Sequence, residues 1–185
     1  MTQPQPIHTE RLTLRALAAS DDHTLVATAG AFEVADMTLR IPHPYTLEDA
    51  HRWLGSTRDG YERGTSFPLA ITLRARPEEL VGTVGLEVTP PHARAELGYW
   101  IAVPHWGKGY CTEAAAAMLA FGFGTLNLQR INSYHFARNP ASGRVLQKIG
   151  MRHEGVLRQH LRKWDHFEDS VMYGILRSEF EAQRR

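Results

Sequence analysis

One segment, Trp-Gly-Lys-Gly-Tyr-Cys-Thr-Glu at residues 106–113, restricts the possible folds of this chain more than any other. An apolar run at 97–103 comes shortly before it, and an alanine-rich stretch at 113–123 follows it. This order predicts a strand, a glycine-rich turn and the start of a helix. Such a turn exposes several backbone N–H groups at one point, and the helix directs the positive end of its dipole to the same point. We therefore predict a binding seat for a phosphate or pyrophosphate.

Two common phosphate-binding loops do not match this segment. A Walker A loop needs a glycine five residues before its Gly-Lys pair and a Ser or Thr after it, but those positions hold Ala102 and Gly109. A dinucleotide-binding fingerprint needs a third glycine three positions after the second, where this chain has Thr112. A nucleoside triphosphate and a dinucleotide are therefore poor candidates for the ligand.

The remaining pattern resembles the acetyl-CoA loop of the GNAT N-acetyltransferase superfamily, which is written Gln/Arg-x-x-Gly-x-Gly/Ala. It occurs here as Trp106-x-x-Gly109-x-Cys111. Cys111 is a small residue in place of Gly or Ala, and Trp106 is a variant that suits a loop whose backbone amides hold the pyrophosphate. Taken alone, the loop has a plain structural turn as its alternative.

A second segment adds to the resemblance. Asn139 precedes Pro140, a combination that starts a helix with Asn as its N-cap, and Gly150 ends the same short helix. The spacing Asn139-x-x-Ser142, followed by Lys-x-Gly-Met at 148–151, is similar to the motif that closes the cofactor site in GNAT enzymes. The resemblance spans nearly the whole chain and is closest to the Rim-type ribosomal-protein N-terminal (alanine/serine) acetyltransferases.

The apolar patterns predict an α+β (mixed α/β) fold in one domain, residues 1–185, with the GNAT element order: a central twisted mixed sheet flanked by helices. The predicted strands are 12–17, 67–73, 81–88, 96–103, 130–136, 151–162 and 167–176. The predicted helices are one capped by Ser20 and ending near 29, one capped by Thr46 and ending near 61, 108–122, 140–149, and a tail helix capped by Ser178. Residues 76–79 are predicted as a turn and 37–45 as a loop. The resemblance implies that strands 96–103 and 130–136 splay apart to admit the pantetheine arm.

Composition argues against several classes of function. A formal charge of +1 offers no electrostatic basis for a nucleic-acid or membrane partner. The single cysteine excludes an internal disulfide and suits a reducing cytoplasm, which we expect as the location. Residues 1–9 lack the apolar core of a signal peptide, and no apolar run approaches membrane-spanning length. The ten histidines are scattered without paired ligand spacing, so we expect no metal.

By resemblance, the cofactor is acetyl-CoA, used as a co-substrate. We assign its pyrophosphate to backbone N–H groups of the glycine-rich turn, and its pantetheine to backbone groups of strand 96–103 and to an asparagine. The residues assigned to the cofactor are Trp100, Ile101, Gly107, Lys108, Gly109, Tyr110, Cys111, Thr112, Asn139 and Arg144.

Three of these assignments have a simpler alternative. Asn139 can act as an N-cap only, although the cap and the pantetheine contact are compatible. Lys108 and Arg144 can be solvated surface cations. Cys111 invites the idea of a covalent acetyl-enzyme, but no histidine partner has an identifiable position, which favours a small packing residue.

Two residues are assigned to the chemistry by resemblance. Many GNAT enzymes carry a tyrosine seven residues after the Asn to protonate the thiolate, but that position is Leu146 here. The Rim-type branch uses the Ser three positions after the Asn, so Ser142 is the candidate general acid or hydrogen-bond donor to the thiolate. A serine that caps its own helix is the alternative. Glu96 is the candidate base, with a paired carboxylate at a strand edge as its alternative.

The demand on this base depends on the acceptor. An α-amine with a pKa near 8 is about 10% neutral at pH 7, whereas a lysine amine with a pKa near 10.4 is less than about 0.1% neutral. A protein N-terminus can therefore react with the help of a water path. A lysine needs a stronger base than the sequence identifies.

We expect a CoA-dependent N-acetyltransferase in which an amine, preferably a protein N-terminus, attacks the thioester directly. One alternative is a small-molecule acetyltransferase for a polyamine, an amino acid or an aminoglycoside. The other is a non-catalytic acyl-CoA-binding module. The family also makes a homodimer plausible. Loop 37–45 is the segment expected to set specificity, and 164–169 is expected to be a hairpin turn whose acids are solvated.

Overall fold

A computed structural model describes residues 5–183. Its strands form one mixed sheet in the order β1-β2-β3-β4-β5-β6-β8-β7, and β5–β6 is the parallel pair within the described chain. The strands are β1 (Ile7–His8), β2 (Leu12–Ala16), β3 (Ser66–Leu73), β4 (Arg76–Thr89), β5 (Arg94–Ile101), β6 (Arg130–Phe136), β7 (Arg152–Lys163) and β8 (His166–Leu176). The helices are α1 (Asp22–Ala29), α2 (Phe32–Asp36), α3 (Leu47–Arg63), α4 (Tyr110–Gly124), α5 (Pro140–Lys148) and α6 (Arg177–Ala182). The expected mixed sheet flanked by helices is confirmed.

Helices cover both faces of the sheet, as the side chains of β5 show by pointing alternately to one face and the other. Leu97 and Ile101 face the larger core, which contains the alanine-rich side of α4 and Leu146 of α5. Trp100 points the other way, into a smaller cluster with residues of α1 and α3. We call these the α4 face and the α3 face of the sheet. None of the helices in residues 5–183 is long and apolar enough to cross a membrane.

The parallel ladder between β5 and β6 is short. Pairing stops at Glu96 and Asn132, although β5 continues to Ile101 and β6 to Phe136. Just beyond this point the hydroxyl of Ser133 donates to the backbone carbonyl of Leu97 at 2.7 Å, and both residues are buried. A side chain thus replaces the ladder bond. The expected splay of the two strands is confirmed, and we call the opening the wedge.

Several predicted boundaries are right. Thr46 caps α3 by accepting from the N–H of Asp49, whose carboxylate accepts from the N–H of Thr46. Asn139 caps α5 by accepting from the N–H of Ser142 at 3.2 Å. Strand β6 has the predicted limits of 130–136.

Two predicted caps are wrong. Ser20 lies inside a short 3-10 turn, Ala19–Asp21, that precedes α1. The carboxylate of Asp21 organises this turn by accepting from the guanidinium of Arg15 and the N–H of Ala18. Ser178 lies within α6, which begins after Leu176. The N-cap is Leu176, whose backbone N–H donates to the carboxylate of Glu179.

Other elements were placed incorrectly or missed. Residues 76–79 belong to the start of β4, because the β3–β4 hairpin turns at 74–75 and its ladder is bulged next to Pro77. The bulge leaves Pro77 outside the regular ladder, where its missing N–H costs nothing. Strand β5 ends before the predicted 103, which lies in a 3-10 turn, Val103–His105. Strand β1 and helix α2 were not predicted because they span two and five residues.

Removing the hydroxyl of Ser133 tests how much its bond between β6 and β5 stabilises the fold. We expect Ser133→Ala to lower the free energy of unfolding by about 1–3 kcal/mol, because a buried carbonyl loses its donor. For a chain of this size, each kcal/mol of lost stability lowers Tm by about 2–4 °C. Thermal unfolding measures it, with Ser178→Ala as a matched control at an exposed position. Equal effects of the two substitutions would contradict the role of Ser133.

Candidate active site

The glycine loop, residues 107–109, leads into the N-terminus of α4. Gly107 and Gly109 have φ angles of 74° and 80°, in the left-handed region that favours glycine. Gly109 is the N-cap, so the N–H groups of Tyr110, Cys111 and Thr112 have no acceptor within the helix. No atom lies within 4 Å of the position that a Cβ on Gly107 would take. The predicted amide seat for an anion, residues 107–112, therefore has open space on the Gly107 side.

Trp106 has a structural task beside this seat. Its indole N–H donates to the backbone carbonyl of Ile101 at 2.6 Å, which ties the glycine loop to the end of β5. The ring is 49% exposed, so it needs no burial to make this contact. A tryptophan can therefore replace the Gln or Arg of the family pattern, because the amides of the loop stay free.

The backbone of β5 supplies polar groups to the wedge. The N–H of Ala102 donates to Val81 of β4 at 2.8 Å, and backbone direction alternates along an antiparallel pair. Trp100 therefore directs its backbone groups to β4, whereas Tyr99 and Ile101 direct theirs towards β6. The carbonyl of Ile101 is occupied by Trp106, which leaves the amides of Tyr99 and Ile101 facing the wedge.

Tyr99 was missed by the sequence reasoning. Its phenol lies 3.0 Å from the hydroxyl of Ser142 and donates to the backbone carbonyl of the same residue at 3.1 Å. It thus links β5 to the first turn of α5 across the wedge. Burial raises the pKa of Tyr99 well above its ordinary value, so the phenol stays protonated and remains a donor. Leu146, in the position where related enzymes carry a tyrosine, is fully buried in the core.

Glu96 lies on the α3 face where the wedge begins. Burial raises the pKa of its carboxyl, and the charge of Glu87 adds to the shift, while Arg40 and Arg94 partly oppose it. Tyr134 of β6 lies close enough for Glu96 to raise its pKa too, after the larger effect of burial. A carboxyl with a raised pKa is suited to general-base work near neutral pH.

Two further observations concern the surroundings of Glu96. Gly98 lies between Glu96 and Trp100 on the same face of β5. No atom lies within 4 Å of the position that a Cβ on Gly98 would take, so the space between those two side chains is open. Arg40 belongs to loop 37–45, which brings that loop over the face where Glu96 lies. The proximity of Arg40 to Glu96 was not predictable from sequence, since the two residues are 56 positions apart.

Loop 37–45 is fastened to the β7–β8 hairpin. The ammonium of Lys163 donates to the carbonyl of Ile41 at 2.6 Å, and the rings of Phe32 and Trp164 stack with centroids 5.7 Å apart. The guanidinium of Arg138 bonds the carboxylates of both Asp36 and Glu168. These side chains line an open groove of about 390 Å³ at the end of β6, next to Asn139.

The remaining predicted residues have simpler surroundings. Burial raises the pKa of Cys111 to about 12, so its thiol stays protonated, as expected of a packing residue. The backbone carbonyl of Lys108 accepts a hydrogen bond from the guanidinium of Arg11. Arg144 lines a second cavity of about 420 Å³ between α5, β6 and β8. The hairpin turn predicted at 164–169 is confined to Trp164 and Asp165, because His166 already begins β8. Residues 5–183 contain no cluster of three or more His, Cys, Asp or Glu side chains that could hold a metal ion.

Comparison with known proteins agrees with this architecture. A family model described as the acetyltransferase (GNAT) domain matches residues 11–152. The chain is also 31% identical over 172 residues to the Uncharacterized N-acetyltransferase YoaA of Bacillus subtilis (strain 168), covering 92% of this chain and 96% of that protein. The protein therefore belongs to the GNAT family of acetyltransferases, and it is an N-acetyltransferase.

Two other similarities concern possible acceptors. The ribosomal-protein-serine acetyltransferase of Escherichia coli (strain K12) is 28% identical over 99 residues, which are 53% of this chain and 55% of that protein. The crystal structure of a spermidine N-acetyltransferase from Vibrio cholerae, in complex with CoA and spermine, has a TM-score of 0.80 and 22% identity, covering 94% and 99% of the two chains. The first confirms the similarity to ribosomal-protein acetyltransferases; the second shows a shared fold.

Because Glu96 is partly buried, its ionisation is expected to lower the free energy of unfolding, and this effect depends on pH. A carboxyl whose pKa is higher in the folded than in the unfolded state favours folding below its unfolded pKa, about 4.3, and that benefit is lost as pH rises through the folded pKa. We therefore expect Glu96→Gln to melt at a higher temperature than the parent protein at pH 7, with the gap closing towards pH 4.

Thermal unfolding across this pH range measures the difference in Tm. Glu78→Gln is the matched control, because the Glu78 side chain is exposed at the start of β4. A gap that is independent of pH, or that widens on acidification, would contradict the assigned environment of Glu96.

Proposed function

We propose that this N-acetyltransferase transfers the acetyl group of acetyl-CoA to the α-amine of a protein N-terminus. The observation that carries the proposal is the alignment of three features along the wedge. The amide seat lies at the start of α4, the Tyr99–Ser142 pair crosses the wedge, and Glu96 lies on the opposite face of the sheet. This arrangement provides separate places for a phosphorylated thioester and for an amine.

The amide seat suits the pyrophosphate of acetyl-CoA. Space is open beside Gly107, and a helix N-terminus favours an anion. We assign the pantetheine to the wedge, where the amides of Tyr99 and Ile101 and the side chain of Asn139 can bond to it. Tyr99 takes the backbone role first assigned to Trp100. Lys108 and Arg144 are side-chain candidates for the phosphates.

The chemistry requires one bond to form and one to break. The amine nitrogen bonds to the acetyl carbon, the carbon–sulfur bond breaks, and the sulfur leaves as a thiolate. Glu96, directly or through water, takes the proton that the amine loses. Ser142 donates a hydrogen bond to the thiolate, and for this the one phenol proton of Tyr99 turns from the Ser142 carbonyl to the Ser142 hydroxyl oxygen, which lies 3.0 Å away. Holding both reactants in line can contribute about 7–11 kcal/mol to lowering the barrier.

The charges around the groove beside Asn139 support an acceptor amine with a single positive charge. A polyamine carries several positive charges and calls for several unpaired carboxylates. Asp36 and Glu168 are both paired with Arg138, and Arg40 lies near Glu96. Within the described residues, the groove beside Asn139 therefore offers no free acidic cluster. An N-terminal α-amine needs none, because about a tenth of it is neutral at pH 7.

The wider setting of the protein follows from the same proposal. Cys111 is the one cysteine of the chain, and a protein without disulfides suits the cytoplasm, where new protein N-termini appear. A homodimer is part of the proposal by likeness to the family.

Acceptor preference is tested by measuring free thiol released from acetyl-CoA. The panel contains peptides with different first residues, N-blocked peptides whose amine is a lysine, spermidine and an aminoglycoside. We expect turnover with free peptide N-termini and none with the blocked peptides. Turnover with small amines alone would show that the acceptor is a small molecule and not a protein N-terminus. CoA binding without turnover on any acceptor would show that the protein is a non-catalytic acyl-CoA-binding module.

Substitution of Ser142 tests the chemistry separately. We expect Ser142→Ala to lower kcat about 10²- to 10⁴-fold, the range typical for loss of a proton-transfer group. Tyr99→Phe, which keeps the ring and removes the phenol, should lower kcat by less. Steady-state kinetics measure kcat, and calorimetry should show unchanged CoA affinity. A normal kcat in both variants would exclude this role for the pair.

A further inference from the structure

Arg11 joins the N-terminal hairpin to the start of α4. Its Nε donates to the carboxylate of Glu113 at 2.7 Å, its backbone N–H donates to the same carboxylate at 2.8 Å, and its Nη1 donates to the backbone carbonyl of Lys108 at 2.9 Å. Thr9 adds a hydroxyl bond to Glu113 at 2.6 Å. The guanidinium lies over the ring of Tyr110, 4.9 Å from its centroid. We call Arg11, Thr9 and Glu113 the latch.

The latch acts on a backbone that has few other restraints. Gly107 and Gly109 are free to leave their left-handed conformations, because glycine populates many others at little cost. In the described part of the chain, Arg11 makes the one side-chain hydrogen bond to the backbone of the glycine loop. Its Nη2 also lies 3.3 Å from the position that a Cβ on Gly109 would occupy. The loop is thus braced from outside the segment that forms it.

The latch also solves an electrostatic problem. Glu113 lies one turn into α4, where a carboxylate would compete with a bound anion for the helix N-terminus. Burial opposes its ionisation, but hydrogen bonds from Thr9 and Arg11 outweigh that effect and hold its pKa below the ordinary value. Glu113 is therefore charged, and the guanidinium of Arg11 neutralises it. Lys108 forms no ion pair within residues 5–183, so its ammonium adds a positive charge to the loop.

We propose that Arg11 is a positioning residue for the phosphate end of acetyl-CoA, which it serves by holding the glycine loop in its binding conformation. The inference rests on the proposed function, since it assumes acetyl-CoA as the ligand. It assigns cofactor affinity to a residue 96 positions before Gly107, in a different element of the fold. Preorganisation of this kind strengthens binding by removing the cost of ordering the loop.

The test compares two acetyl donors with the same thioester. Acetyl-CoA carries the pyrophosphate, and acetyl-pantetheine does not. We expect Arg11→Ala to weaken CoA binding and raise the KM for acetyl-CoA about tenfold, the effect of one charge-assisted hydrogen bond. The kcat/KM with acetyl-pantetheine should stay within about twofold, because that donor does not use the loop. Calorimetry with CoA gives the affinity independently of turnover.

Two further variants complete the design. Arg11→Lys keeps the charge but cannot span Glu113 and Lys108 with one ammonium, so we expect an intermediate loss of CoA affinity; it carries the test if the alanine variant fails to fold. Arg15→Ala is the control, since Arg15 lies in the same strand region and pairs with Asp21 away from the loop. Unchanged CoA affinity in both Arg11 variants, or equal losses with both donors, would overturn the inference. A parent protein that binds no CoA would instead refute the proposed function.

Discussion

Strands β5 and β6 run parallel for three residue pairs and then separate, and both halves of the candidate site depend on this separation. Backbone groups of β5 that would otherwise pair with β6 face an opening. One of them, the carbonyl of Leu97, is satisfied by the hydroxyl of Ser133, whereas the amides of Tyr99 and Ile101 stay directed into the wedge. A sheet with a complete ladder would have neither a channel for a pantetheine arm nor free amides to hold it.

The helices next to the wedge are placed to use it. Helix α4 presents the amide seat at one end, and α5 presents Asn139 and Ser142 at the other. Tyr99 crosses between them, and because burial keeps its phenol protonated, it can donate either to the carbonyl or to the hydroxyl oxygen of Ser142. Glu96 lies on the far face with a raised pKa, which is unfavourable for stability at neutral pH and suits the base that we propose.

Local sequence patterns predicted much of this structure. The caps of α3 and α5, the limits of β6, the hairpin turn at 164–165 and the mixed sheet follow from turn residues and apolar periodicity, which act over a few positions. The wrong predictions were local too. Ser20 and Ser178 looked like caps, but Asp21 with Arg15, and Glu179 with the N–H of Leu176, organise those turns. The short β1 and α2 have too few residues to show a period.

The sequence by itself determined the family, the fold class and where a glycine-rich turn leads into α4, because glycine spacing, N-caps and strand patterns are properties of neighbouring residues. Tertiary structure alone decided which side chains meet. Tyr99 reaches Ser142 across 43 positions, Arg11 reaches Glu113 across 102, and loop 37–45 is held by Lys163 across more than 120. Such contacts depend on how strands and helices cross in space, and no single segment carries that information. The physical reason is that hydrogen bonds and burial depend on how close two groups are in space. A sequence pattern shows only how far apart they are along the chain.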